Sequence, residues 1–109
     1  MRLFSEQITA DDADVLAGTQ LDTLQEGGQL DIYILSSQAD TLYSLFGPGN
    51  EPLVTNAEVP NETRAPRVND DTPHTLVVMK AGHYTLDINI VTAATVIVLI
   101  IFREKGIDF

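Results

Sequence analysis

The stretch Ile90-Val91-Thr92-Ala93-Ala94-Thr95-Val96-Ile97-Val98-Leu99-Ile100-Ile101-Phe102 limits what this chain can fold into more than any other. Every residue from Val96 to Phe102 is apolar and most are β-branched. Such stiff side chains favour an extended strand over a helix. A strand with one wet face alternates apolar and polar residues, and this one does not, which predicts cover on both faces. In a chain of 109 residues the core covers one face. The other is expected to need a second layer, a second subunit or a lipid, and Val96, Val98, Ile100 and Phe102 become the candidate oligomer interface.

Length and a hydrophobic content of 44% fit one domain with a core of its own. The chain has no cysteine, which removes disulfides, thiol nucleophiles and Cys-based metal sites and points weakly to folding in a reducing cytoplasm. The N-terminus has one positive charge and no apolar stretch after it, which argues against a signal peptide. The terminal apolar run is shorter than the roughly 20 residues of a spanning helix, which argues against a membrane, although Arg103 and Lys105 flank it.

The formal net charge is −10, and no Lys or Arg lies between Arg2 and Arg64. Such a surface repels phosphate backbones, so direct nucleic-acid binding is not expected. The acidity keeps an apolar-rich chain soluble or steers it toward a basic partner.

Turn signals divide the chain into short strands. Gln20 to Gln25 and Gln29 to Ser36 flank Gly27-Gly28, which reads as a two-residue hairpin turn. In the second of these segments Leu30, Ile32 and Ile34 share one face, with Asp31, Tyr33 and Leu35 on the other. Thr41–Phe46, Leu53–Thr55 (an edge strand), Thr75–Met79, Tyr84–Ile90 and a strand from about Thr95 follow. With no amphipathic helix between the strands, the pattern predicts an all-β fold: a single small antiparallel β-sandwich or jelly-roll-like barrel. Residues 1–18 read as a separate N-terminal arm or short helix ahead of the sandwich at 19–109. Thr9 is a candidate N-cap, Asp11, Asp12 and Asp14 suit a first helical turn, and Gly18 is a stop. The long stretch Asn56–Pro73 holds three prolines and both mid-chain cations, Arg64 and Arg67, and is expected to be functional or mobile.

No motif names a reaction. His74 and His83 bracket one strand without metal-ligand spacing. Asp11-Asp12-Ala13-Asp14 lacks the central Gly of a calcium loop, having Leu16 at the sixth position. There is no G-x-S-x-G elbow and no glycine-rich phosphate cradle. Tyr33, Tyr43 and Tyr84 could line a sugar platform, but Tyr84 reads as a core residue. The chain is expected to be no enzyme and to need no cofactor or metal.

The layout of a short N-terminal arm, a cysteine-free β-sandwich, acidic loops and an apolar closing strand, from about Thr19 to Phe102, resembles the decoration or cement proteins of tailed bacteriophage heads. The resemblance is architectural and transfers no site residue. It implies a non-enzymatic virion protein, made in the host cytoplasm, that binds the major capsid protein at symmetric lattice positions, often as a homotrimer. The candidate contacts with capsid or neighbour are Leu3, Phe4 and Ile8 of the arm, with Arg64 and Arg67 of the long loop. The rival is a monomeric or dimeric binding module for a carbohydrate or receptor, like a tail-fibre domain. A third, weaker reading is a membrane-associated virion protein anchored by Ile88–Phe102.

Overall fold

The computed structural model describes residues 1–38, 40–58 and 73–109, and within them the protein is an antiparallel β-sandwich. The strands are β1 (Arg2–Ala10), β2 (Val15–Leu24), β3 (Gln29–Ser36), β4 (Leu42–Phe46), β5 (Pro52–Glu58), β6 (His74–Val77), β7 (Gly82–Ile90) and β8 (Ala94–Arg103). One sheet has the order β1-β8-β3-β6 and the other β2-β7-β4-β5, which is the strand order of a jelly roll. The chain therefore crosses repeatedly between the sheets, and partners are far apart in sequence.

Alternation sets the core. Leu30, Ile32 and Ile34 of β3 point inward beside Val96, Val98, Ile100 and Phe102 of β8. They meet Leu86, Ile88 and Ile90 of β7, Tyr43 and Leu45 of β4, and Leu21 and Leu24 of β2. All of these are buried, and each large apolar side chain so removed from water contributes about 1.5–3 kcal/mol.

This arrangement corrects three expectations. First, Val96, Val98, Ile100 and Phe102 are not an oligomer interface. They are at most 2% exposed inside a single chain, because the second sheet covers them. The row that faces outward from β8 is the other one, with Ile97 43% exposed.

Second, residues 1–18 are neither helix nor free arm. Arg2 to Ala10 pair along their whole length with β8, from Arg2 opposite Phe102 to Ala10 opposite Ala94. That ladder outweighs two turns of an undocked helix. The acids at 11–14 form the turn into β2, where Asp14 takes a left-handed φ of 58°, and β2 runs through the expected boundary at Gly18.

Third, Gly27-Gly28 does not close a hairpin. β2 pairs with β7, and β3 with β8 and β6, so the glycines carry the chain from one sheet to the other. Gly27 N–H donates to Val78 O at 2.8 Å and Val78 N–H to Gly28 O at 2.8 Å. A Cβ on Gly28 would lie 2.5 Å from Phe102 Cε1, so the turn fits only by lying against that ring.

Candidate functional site

Strand direction gathers three connections at one end of the sandwich, here called the tip: β1 to β2, β3 to β4 and β7 to β8. β1 reaches it at Ala10 opposite Ala94, β3 at Ser36 opposite Val96, and β7 at Ile90 opposite Val15. The loops are tied to one another. Asp14 N–H donates to Val91 O at 3.2 Å and Ser37 N–H to Thr95 O at 3.1 Å. Thr95 N–H returns a bond to Ser37 Oγ at 3.0 Å, and the Thr92 hydroxyl donates to the Asp40 carboxylate. Ser36 and Thr41 hydroxyls join at 2.7 Å across the β3–β4 connection. Loops bonded across strands in this way present a preformed surface.

That surface is acidic. Asp11, Asp12, Asp14 and Asp40 are all exposed there, and none has an ion-pair partner among the described residues. The described Lys and Arg residues, Arg2, Lys80, Arg103 and Lys105, lie at the opposite end, the base. Arg2 and Arg103 sit at the base termini of β1 and β8. Lys80 lies in the β6–β7 connection, and the Lys105 stem packs by Gly27.

At the base four acids are paired, while Glu26 of the β2–β3 connection is exposed. The terminal ammonium contacts Asp108 at 2.9 Å, Arg2 approaches Glu104 at 3.5 Å and Lys80 approaches Glu51 at 3.8 Å. Arg103 binds Asp31, whose second oxygen accepts from the Thr75 hydroxyl at 2.8 Å. The ammonium and the Glu104 N–H hold the Asp108 carboxyl below its usual range. Among the described residues the tip thus carries negative charge with no counter-charge beside it, while at the base acids and cations stand side by side.

The histidines do not converge. His83 is exposed and lies 3.3 Å from the Thr23 hydroxyl. His74 is half-buried between the sheets, with Nδ1 2.7 Å from Tyr43 Oη, and burial lowers its pKa. Among the described residues no three His, Cys, Asp or Glu side chains gather to hold a metal. The tyrosines form no platform either. Tyr43 and Tyr84 are buried, Tyr84 donates to Lys80 O at 2.7 Å, and Tyr33 is on the outer face of β3. Burial pushes the Tyr84 hydroxyl pKa up.

Of the expected contact residues, Leu3 is 61% exposed on the outer face of β1. Phe4 and Ile8 pack against the core from the same strand, so they are not free to reach a neighbour. Arg64 and Arg67, like most of the Asn56–Pro73 stretch, lie outside the described residues. A cleft of about 320 Å³ opens between β1 and β2 beside Phe4, Glu6, Thr19 and Leu21, and Thr19 donates to Glu6 at its rim. From the sequence Asp11, Asp12 and Asp14 read as acids of a first helical turn and Asp40 as the end of a turn. The usable signal was the gap in positive charge from Arg2 to Arg64, but only the topology brings Asp40 beside the Asp11–Asp14 turn and Thr92.

No protein-family model matches the chain, and no curated protein does. Among the solved structures similar in fold are two inhibitors. PliG of Salmonella Typhimurium, a periplasmic lysozyme inhibitor of g-type lysozyme, superposes with a TM-score of 0.57 at 16% identity over 94% of this chain and 86% of that one. A mutant of the Escherichia coli PliG, described in the same words, gives 0.56 at 13% identity over 94% and 86%. At such identities the likeness is one of fold. The neighbours are periplasmic inhibitors and not components of a phage head, which overturns the expected capsid decoration, the major capsid protein as partner and the virion location, and removes the resemblance from which the homotrimer was expected.

Proposed function

We propose that this chain is a non-enzymatic protein-binding module that inhibits a lysozyme in the bacterial envelope, meeting a cationic surface of the enzyme with its acidic tip. The observation that carries the reading is the segregation of charge on a fold shared with PliG: four exposed aspartates with no ion-pair partner among the described residues at one end, and the described Lys and Arg residues at the other. A field of one sign on a preformed loop surface raises the encounter rate with a basic protein and orients it. The role needs no nucleophile, cofactor or metal. It needs a rigid end, which the bonds among Asp14, Val91, Ser37, Thr95, Thr92 and Asp40 supply.

The test is titration of the purified protein into g-type lysozyme clearing a cell-wall suspension, with complex formation followed in parallel at low and raised salt. The expected result is a stoichiometric loss of lytic activity and an affinity that weakens as salt rises. Full lytic activity at saturating excess, with no complex on gel filtration, overturns the reading.

A further inference from the structure

The two outer faces of the sandwich differ in a way that inhibition does not account for. On the β2-β7-β4-β5 sheet the outward row of β7 is Thr85, Asp87 and Asn89, which suits water. On the β1-β8-β3-β6 sheet the outward row of β8 is Ile97, Leu99 and Ile101, flanked by Leu3 of β1 and by Tyr33 and Leu35 of β3. Leu3, Leu35 and Ile97 are 61%, 52% and 43% exposed. These side chains form one apolar patch over β8 and β3, bordered on β1 by the exposed Ser5, Gln7 and Thr9, and such a patch marks an interaction surface.

We infer that this outer face is the contact surface of a homodimer of the chain. Charge selects the occupant. The chain carries −10 overall, so most of its surface repels a second copy. On this face the described acid is Asp31, which is neutralised by Arg103 and accepts a hydrogen bond from Thr75. Two copies therefore meet here without opposing like charges, whereas an anionic lipid surface meets a chain of its own sign.

Area agrees. Strands of up to ten residues in a four-stranded sheet make a face about 30 Å long and about 19 Å wide. With β6 only four residues long, a face-to-face pair buries on the order of 1,000 Å² in total, at the lower bound for a specific interface. An isologous contact centred on Leu99, with the sheets about 10 Å apart, fits aligned sandwich packing. The tips point along the strands, away from this contact, and stay open.

The experiment is light scattering and sedimentation from low to high micromolar protein, without detergent, on the natural chain and on Ile97→Lys and Leu35→Glu. Both positions are exposed, so folding should survive, and circular dichroism and melting check that it does. The expected result is a concentration-dependent shift from 11.9 kDa toward twice that mass, with the dissociation constant raised at least tenfold by either substitution. A chain monomeric at every concentration overturns the inference, as does a dimer that survives both changes. A monomer that binds uncharged phosphatidylcholine vesicles through Ile97 overturns it in favour of a lipid occupant. None of these results bears on lysozyme inhibition, which is read separately.

Discussion

The two ends of the sandwich use the same strands and solve opposite problems. At the base, Phe102 is fully buried, the Arg2 guanidinium lies 4.9 Å from its ring centroid, and Gly28 passes beneath it. Ion pairs from Met1, Arg2, Lys80 and Arg103 close that end. At the tip the core tapers to Ala10 and Ala94. The loops beyond are joined by hydrogen bonds, and their charges are left facing water. The contrast teaches where stability and recognition are separated: the base holds the sheets together, and the tip is free to carry an unbalanced field. An end built for packing should be costly to alter, and an end built for binding should not.

The largest break in that comparison is expected from Phe102→Ala. Truncating a fully buried aromatic leaves a cavity and removes the surface under Arg2, a loss of about 3–5 kcal/mol in urea unfolding. A loss below about 1 kcal/mol would mean that the base is not the packed end. Gly28→Ala comes next. Its Cβ would meet both Phe102 Cε1 and the Arg103 carbonyl within 3 Å, so the ring or the turn must shift, at about 1–3 kcal/mol. Combining the two changes sharpens the point: with the ring gone, the part of the Gly28→Ala penalty that comes from Phe102 should vanish while the clash with the Arg103 carbonyl stays, a partial non-additivity expected of residues in contact.

Much of the fold was legible, and the failures have physical causes. The alternation of Tyr84, Leu86, Ile88 and Ile90 placed β7 correctly, because one face of that strand is polar. β8 is apolar on both faces, so its period could not say which row is the core, and Val96, Val98, Ile100 and Phe102 were assigned to the wrong neighbour. Thr9, Asp12 and Gly18 are good local helix signals, but a non-local ladder from Arg2 to Ala10 prevailed. Gly27-Gly28 permits a hairpin and a crossover equally, and the choice lies with Phe102, far away in sequence. The acids of the tip were visible as composition. Their convergence follows only from strand order.

Acid titration distinguishes smaller contributions. His74 is held below its ordinary value of 6.5 by burial, so the folded state prefers the neutral ring. Below 6.5 the unfolded chain binds the proton first, and stability declines as the pH drops until His74 itself is protonated. His74→Gln should flatten that segment of the stability curve and weaken the link to Tyr43. Asp108 lies at the base, below its ordinary value of 3.8 because of the terminal ammonium and Glu104 N–H. Its contribution is present above 3.8 and is lost as pH falls through the lowered value, so Asp108→Asn should flatten only the most acidic segment. Being exposed and screened, it is the weaker of the two. Chemical denaturation at a series of pH values reads both, and a single unbroken slope would show that neither contact matters.

The smallest effect on stability is expected where the effect on binding is greatest. Changing Asp11, Asp12, Asp14 and Asp40 together to Asn removes four of the ten excess negative charges but keeps the features the loops depend on. Asn tolerates the left-handed φ at position 14, and in Asp40→Asn the new amide oxygen still accepts from Thr92. Each change should move stability by no more than about 0.5 kcal/mol, with relief of repulsion acting in the favourable direction. Asp31→Asn at the base is the control. It removes one charge, yet it weakens the Arg103 contact of a carboxylate that is only 8% exposed, at about 1–3 kcal/mol. If the four tip changes together cost more than Asp31→Asn alone, the tip is a structural element and its charge is incidental. If they cost less and the association rate with a basic lysozyme falls while losing its salt dependence, the tip's negative charge acts in the encounter and not in the fold.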